Sequence, residues 1–383
     1  IQNDPESNKI YKENLSLGGK LKIADLVKTL KIIQVSGRDG FYKGEIADLI
    51  HEQMIINDGL IRKEDLAAYE VNLYQPIKTS YRGNQVFAMG APSGGGIVVL
   101  TALNVLECFQ LSQLTPNSAR TYHLIAEAMK FAHHNRAKYV GDPSFSKIPY
   151  DMLLSKKLSC EKAREINLKK ASTPKQTART GSKINDSYKE SKDTTHYSIV
   201  DKDGNAVSVT YTLGYSFGSG VTIPGTGILT NNQMNNFAHS YGINDSYFRS
   251  SSPANKLEPL KRPMSTMTPV MVFDAEGSLK LITGSPGGSQ IPGVILQVLI
   301  NNLEFNLDIG AASMVPRIHQ DSQSLSLEYE KFLSDDTLRI LESYGHKLEL
   351  SDTMGSTQSI EIIDGVRYGY ADLRRPNAKV SVQ

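Results

Sequence analysis

Between residues 171 and 194 the chain changes character, and that boundary constrains its fold more than any other feature. Residues 171–193 are rich in Lys, Ser, Thr and Asp, with Ile184 and Tyr188 as their only large apolar side chains. Such a stretch cannot bury enough surface to offset its ordering entropy, so it reads as a flexible linker. Directly after it the pattern switches to period two. Residues 196–200, the turn Asp201-Lys202-Asp203-Gly204 and residues 206–211 read as a hairpin with an Asp-Gly turn signal. The linker ends where a strand begins, at Thr194-Thr195.

Upstream, residues 21–54 read as helical, with Ile46, Leu49, Ile50 and Met54 on one face and Glu45, Asp48 and Glu52 pointing away. Gly59 ends that stretch and Asp65-Leu66 opens a short one. Residues 81–89 read as a strand, and Pro92-Ser93-Gly94-Gly95-Gly96 as a loop feeding the apolar run 97–106. Pro116-Asn117-Ser118 marks the start of a long amphipathic helix that buries Ile125, Ala128, Met129 and Ala132. Downstream, strands are expected at 227–230, 269–273 and 279–283, and a helix at 291–303. This order implies α+β layers rather than a doubly wound sheet.

The 383 residues suffice for two or three domains or one large unit. A net charge of +2 with both signs interspersed gives no signal for nucleic acid or an anionic membrane. No apolar run approaches the ~18–20 residues of a membrane helix. The chain opens on Ile1 without a charged-then-apolar start, so no targeting segment is read in it. Cys108 and Cys160 are too far apart in sequence for a CxxC pair, and Cys108, on an apolar stretch, is expected to be plain core. His133-His134 have no acidic or cysteine partner at ligand spacing, so no metal or other cofactor is expected.

Three segments carry possible chemistry. In Asp193-Thr194-Thr195 a threonine in mid-chain is a poor nucleophile, but one freed as a new N-terminus has its own α-amine, of ordinary pKa about 8, as general base. The bland alternative is two β-branched strand residues. The hairpin places Thr212 opposite Thr194 or Thr195, where it would orient the nucleophile or form a plain cross-strand pair. Gly284-Ser285-Pro286-Gly287-Gly288-Ser289 joins a strand to a helix and lacks the lysine of a phosphate-binding P-loop. Two adjacent amides aimed at a developing oxyanion suit it better, with a tight packed turn as the alternative.

Read together, these segments resemble the γ-glutamyltransferase family. The resemblance is carried by residues 40–44, 60–69, 92–96, 139–143 and, most specifically, 194–205. It continues through Leu229-Thr230-Asn231-Asn232-Gln233-Met234, Lys261-Arg262-Pro263-Met264-Ser265 and the 284–289 loop. It implies a four-layer αββα sandwich of the N-terminal-nucleophile (Ntn) hydrolase type, here lacking the front part of the large subunit. It also implies self-cleavage between Asp193 and Thr194. Residues 1–193 would then be the C-terminal part of the large subunit and 194–383 the small catalytic subunit, the two remaining together as a heterodimer. By position Thr194 is the nucleophile, Thr212 its partner, and Gly287 and Gly288 the oxyanion donors. Ser265 and Thr266 match the hydroxyl pair for the substrate α-carboxylate, Gln233 a residue near the α-amino group, and Tyr247 the lid loop.

The implied activity is hydrolysis or transpeptidation of glutathione-like donors, with water or an amino acid as acceptor, in a periplasmic or secreted setting. Two departures bear on the donor. Asn236 stands where the family usually carries a carboxylate for the substrate ammonium, and Gly214 where it usually carries Asn. Together with Arg374-Arg375, similar to an arginine pair in poly-γ-glutamate transpeptidases, they raise poly-γ-glutamate as an alternative donor; an inactive, uncut relative is a third reading.

Overall fold

The computed structural model describes residues 3–13, 18–173, 193–238, 253–322 and 324–382. Most of the linker, and Tyr247, lie outside these described residues. The chain packs as two compact units, one of residues 1–74 with 212–233, the other of 75–211 with 234–383. The expected cleavage point falls inside the second unit.

The second unit is built on a six-stranded sheet in the order Ile77–Tyr81, Asn84–Ala88, Val270–Phe273, Leu279–Thr283, Gln358–Ile363, Val366–Ala371. Every neighbouring pair is antiparallel. The expected strand at 81–89 is in fact the second arm of a hairpin. Arg82 and Gly83 take φ of 48° and 82° in the two-residue turn, and the arm before it, from Ile77, was not foreseen. Glycine is a routine turn signal at such an angle; an arginine is not, which hid the turn. Helices Gly95–Leu106 and Ile291–Leu303 have no exposed residue, and Gly95–Leu106 packs on Ile77–Tyr81 and on Ile291–Leu303. Burying each Leu or Ile side chain stabilises by about 1.5–3 kcal/mol relative to exposure. Helix Ala119–Tyr139 starts where the sequence placed it, Ser118 Oγ accepting the Thr121 amide at 3.3 Å.

The expectation of a free, inert Cys108 is overturned. Cys108, just past the end of Gly95–Leu106, is bonded to Cys160 on helix Lys156–Glu165, with Cα atoms 5.5 Å apart. A second hairpin, Thr195–Val200 with Ala206–Tyr211, lies on strand Gln358–Ile363, where Ser198 Oγ donates to the Gln358 carbonyl at 2.9 Å. A three-stranded sheet has Ser326–Glu330 between Lys347–Ser351 and Ile318–His319.

In the first unit the expected helix 21–54 is broken twice: Ala24–Tyr42 kinks at Gly37, whose φ is 56°, and Gly44–Ile56 follows as a separate helix. Lys43 is extended between them and Gly44 takes φ 67°, a turn an apolar periodicity count does not register. Ile46, Ala47 and Ile50 pack with Leu66 and Ile223 as this unit's core. Helices and mainly antiparallel strands together make the chain α+β.

Candidate active site

Strand alternation decides between the two threonines. Thr194 is 5% exposed and His196 4%, whereas Thr195 and Tyr197 face outward. Thr195 pairs with Tyr211 and His196 with Thr210, so Thr212 follows the last paired residue and is not the partner of Thr195.

His196 went unnoticed in the sequence, although period two puts it on the buried face with Thr194. Its Nε2 is 3.1 Å from Ser198 Oγ, and that hydroxyl donates to the Gln358 carbonyl. Ser198 Oγ therefore accepts from Nε2–H, and Nδ1 accepts from the Thr210 hydroxyl at 2.8 Å. Burial pushes the imidazole down to about 3, so it stays neutral at physiological pH. Gly284 must be glycine because a Cβ there would stand 2.1 Å from the His196 ring. The strand that follows Thr194 is thus seated on the first residue of the glycine loop.

Further along that loop Gly287 and Gly288 are buried, with φ of 134° and 56°. A Cβ on Gly287 would come within 3.2 Å of Gly355 Cα. Both carbonyls are engaged: Gly287 accepts from the Gln290 amide at 3.0 Å and Gly288 from Thr266 Oγ1 at 2.9 Å. Among the described residues neither amide has an acceptor, as an oxyanion pair requires.

Ser265 lies beside this loop, its amide on the Pro92 carbonyl and its own carbonyl accepting the Gly94 amide at 2.8 Å. Its Oγ accepts the Met267 amide at 3.2 Å. Asn236 is buried, and its carbonyl takes Asn255 Nδ2 at 2.6 Å; Asn255 Oδ1 in turn accepts the Met264 amide at 2.9 Å. Asn236, Ser265, Thr266, Gly287 and Gly288 are therefore tied together in the second unit.

The first unit gathers Thr212, Gly214 and Gln233. The Gly214 amide donates to Thr212 Oγ1 at 2.9 Å, and Gln233 Nε2 to the Thr212 carbonyl at 3.3 Å. Gly214 takes φ 95°, and a Cβ on it would stand 1.9 Å from Asn232 Oδ1. The amide of Asn232 occupies the space a side chain at 214 would use, a replacement the sequence did not reveal.

The arginine pair behaves differently from what its likeness to polymer-processing enzymes implies. Arg374 is spent internally, on Glu330 at 2.7 Å and Asp372 at 3.2 Å, and the buried Arg317 reaches Asp372 at 2.6 Å. Arg375 Nη1 donates to the Thr194 carbonyl at 2.8 Å. The poly-γ-glutamate reading loses this support.

These elements carry the signature of a known family. A model of the gamma-glutamyltranspeptidase family matches residues 1–382. The chain belongs to that family. Among similar proteins, the glutathione hydrolase proenzyme of Escherichia coli (strain K12) is 44% identical over 363 residues, 94% of this chain and 62% of that protein. The glutathione hydrolase proenzyme of Bacillus subtilis (strain 168) is 34% identical, over 97% of this chain and 63% of its own length. The acylase ACY 1 proenzyme of Pseudomonas sp. (strain SE83) is 32% identical, covering 96% and 62%. The cephalosporin acylase structure from Bacillus halodurans superposes with a TM-score of 0.81 at 30% identity, covering 94% of this chain and 62% of that one. The chain thus spans about three-fifths of the length of these relatives.

One cluster of potential metal ligands was missed because its members are far apart in sequence. Donor atoms of His123, Glu127 and His346 lie within 4.8 Å of one another. His123 is 2.7 Å from the Asn167 carbonyl through Nε2, so its Nδ1 accepts from His346 Nε2 at 2.8 Å. Glu127 accepts from Lys130 at 2.8 Å and from the Ser172 amide at 3.1 Å. The Lys130 ammonium already supplies the positive charge Glu127 needs, so the cluster works as a hydrogen-bonded anchor for residues 167–172.

Proposed function

We propose that this chain is the catalytic portion of a self-processing γ-glutamyl hydrolase/transpeptidase, acting on glutathione and similar donors. The observation that carries this reading is Thr194 buried at the head of a hairpin, two residues from an imidazole packed on the glycine loop. In the precursor Thr194 Oγ attacks the Asp193 carbonyl carbon. The Asp193–Thr194 C–N bond breaks as an ester forms, and the nitrogen becomes the α-amine of Thr194. Water then hydrolyses the ester, leaving an Asp193 carboxylate and a free threonine hydroxyl.

In turnover that amine takes the Thr194 hydroxyl proton as the oxygen attacks the γ-carbonyl of the donor. The Gly287 and Gly288 amides receive the oxyanion, and losing one such donor costs about 3–4 kcal/mol. Collapse expels the donor's amine, which carries the proton away. Water or an amino acid then releases the γ-glutamyl group from the Thr194 ester. The family resemblance assigns Thr212 to orienting the nucleophile, Gln233, Gly214 and Asn236 to the α-amino side, and Tyr247 to the lid loop. Ser265 is the hydroxyl that donates to the substrate carboxylate, while Thr266, bonded to Gly288, holds the loop in place.

The fold reading that goes with this function is the four-layer αββα sandwich, with residues 1–193 and 194–383 as subunits of one heterodimer. A periplasmic or secreted setting agrees with the Cys108–Cys160 disulfide, which persists in oxidising compartments. No helix among the described residues is long and apolar enough to cross a membrane. Release of the aniline from a γ-glutamyl anilide tests the activity. Processed wild type is expected to turn it over and Thr194→Ala to be inert; equal rates for the two would refute the assignment.

A further inference from the structure

The last turn of chain before the C-terminal tail is held by a buried ionic cluster. Asp372 is fully buried between Arg317 and Arg374, and Arg374 also grips Glu330. The Arg375 amide donates to the Asp372 carbonyl at 3.4 Å, so its backbone is fixed before its side chain is considered. From there the guanidinium reaches residue 194, Nη1 donating to the Thr194 carbonyl at 2.8 Å and Nη2 standing 3.8 Å from Asp193 Oδ1.

We propose that Arg375 is a positioning residue for Thr194, holding the Asp193–Thr194 junction before cleavage and the freed threonine after it. This rests on the reading of Thr194 as a self-liberated nucleophile. The carbonyl it binds belongs to the peptide unit after the scissile one, so the guanidinium takes no part in bond making. It restrains the Thr194 backbone, and with it the direction of Oγ. The ion pair to Asp193 is half-exposed and long, and contributes little. The charge-assisted bond to the carbonyl is the working contact and does not depend on Asp193 staying bonded to Thr194.

A guanidinium this close also disfavours the protonated form of the new Thr194 amine, which keeps the base available at lower pH. Of the other titratable groups at the junction, Asp193 becomes the C-terminus of the large subunit and is no longer covalently held beside the amine, and His196 is buried and neutral.

The test compares full-length wild type, Arg375→Ala and Arg375→Lys. Cleavage is followed by intact mass, folding is checked by circular dichroism, and kcat and KM are measured from pH 6 to 10 once the chain is processed. Arg375→Ala is expected to cleave about tenfold more slowly or worse, the order of one lost charge-assisted bond. After processing, its kcat should fall with KM nearly unchanged, and the acid limb of its rate profile should move to higher pH. Arg375→Lys should keep the limb in place. A folded Arg375→Ala that cuts at the wild-type rate, or keeps the wild-type kcat and acid limb, overturns the inference. Should Arg375→Ala not fold, Arg375→Lys decides alone: slowed cleavage with the limb retained supports it, and wild-type cleavage overturns it. A wild type that never cuts refutes the nucleophile reading itself, and the inference with it.

Discussion

Ser265 and Thr266 are neighbours with different duties. Thr266 spends its proton on the Gly288 carbonyl, whereas Ser265 accepts from the Met267 amide and keeps its own proton to donate. Ser265→Ala is therefore expected to raise KM for a γ-glutamyl donor about tenfold or more, the value of one hydrogen bond to a charged carboxylate. Thr266→Val should instead lower kcat, because it releases the loop that carries the proposed oxyanion donors. Steady-state kinetics on the two variants separate these effects; the same change in both would mean the hydroxyls act alike. Gly284→Ala adds a methyl where there is no room for one, since its Cβ would fall 2.1 Å from the His196 ring. Overpacking of this kind costs about 1–3 kcal/mol, readable as a lowered urea midpoint, and here it also displaces the strand bearing Thr194.

The hairpin that starts at Thr195 and the turn that carries His346 each bury an imidazole. Burial is the main cause in both, holding His196 at about 3 and His346 at about 4; Lys130 adds to the effect on His346. Above pH 6.5 the rings are neutral whether the chain is folded or not, so neither affects stability. As pH falls below 6.5 the unfolded chain takes protons that the folded chain refuses, and stability drops by about 1.4 kcal/mol per pH unit for each group. Denaturant unfolding at pH 7 and pH 5 should show the loss, and His196→Asn should reduce the slope; a flat profile would contradict it.

Much of this level was legible from pattern. Strand Leu279–Thr283 and helix Ile291–Leu303 have the bounds that the sequence pattern gives, because each is a mainly apolar segment flanked by turn signals. The breaks at Arg82-Gly83 and Lys43-Gly44 were not legible, since they depend on backbone angles that the side chains do not advertise. At the site, the glycine pair and the threonine stand out by residue type. His196, Asn232 and Arg375 owe their places to contacts across 88, 18 and 181 residues of chain, and local patterns do not carry such contacts.

For the molecule as a whole, the Cys108–Cys160 bond closes a stretch of 52 residues and joins two helices. A loop of that length is worth about 4 kcal/mol on the chain-entropy account. Cys108→Ser with Cys160→Ser is expected to lower the unfolding free energy by about 2–4 kcal/mol, as is reduction of the wild type; unchanged melting would show that the bridge carries no load. The ionic cluster of Arg317, Asp372, Arg374 and Glu330 links the two halves of the proposed chemistry. Asp372 also takes the Thr357 amide at 3.1 Å, and Ser356 bonds Ser285 at 2.9 Å in the glycine loop, while Arg375 meets Thr194. All of this bears on the one event proposed for the chain, the conversion of an internal threonine into a chain terminus. Intact-mass measurement with N-terminal sequencing of the purified full-length protein tests it most directly. The expected result is a break between Asp193 and Thr194 in wild type and none in Thr194→Ala. A wild-type chain that stays whole, or is cut elsewhere, would contradict the account.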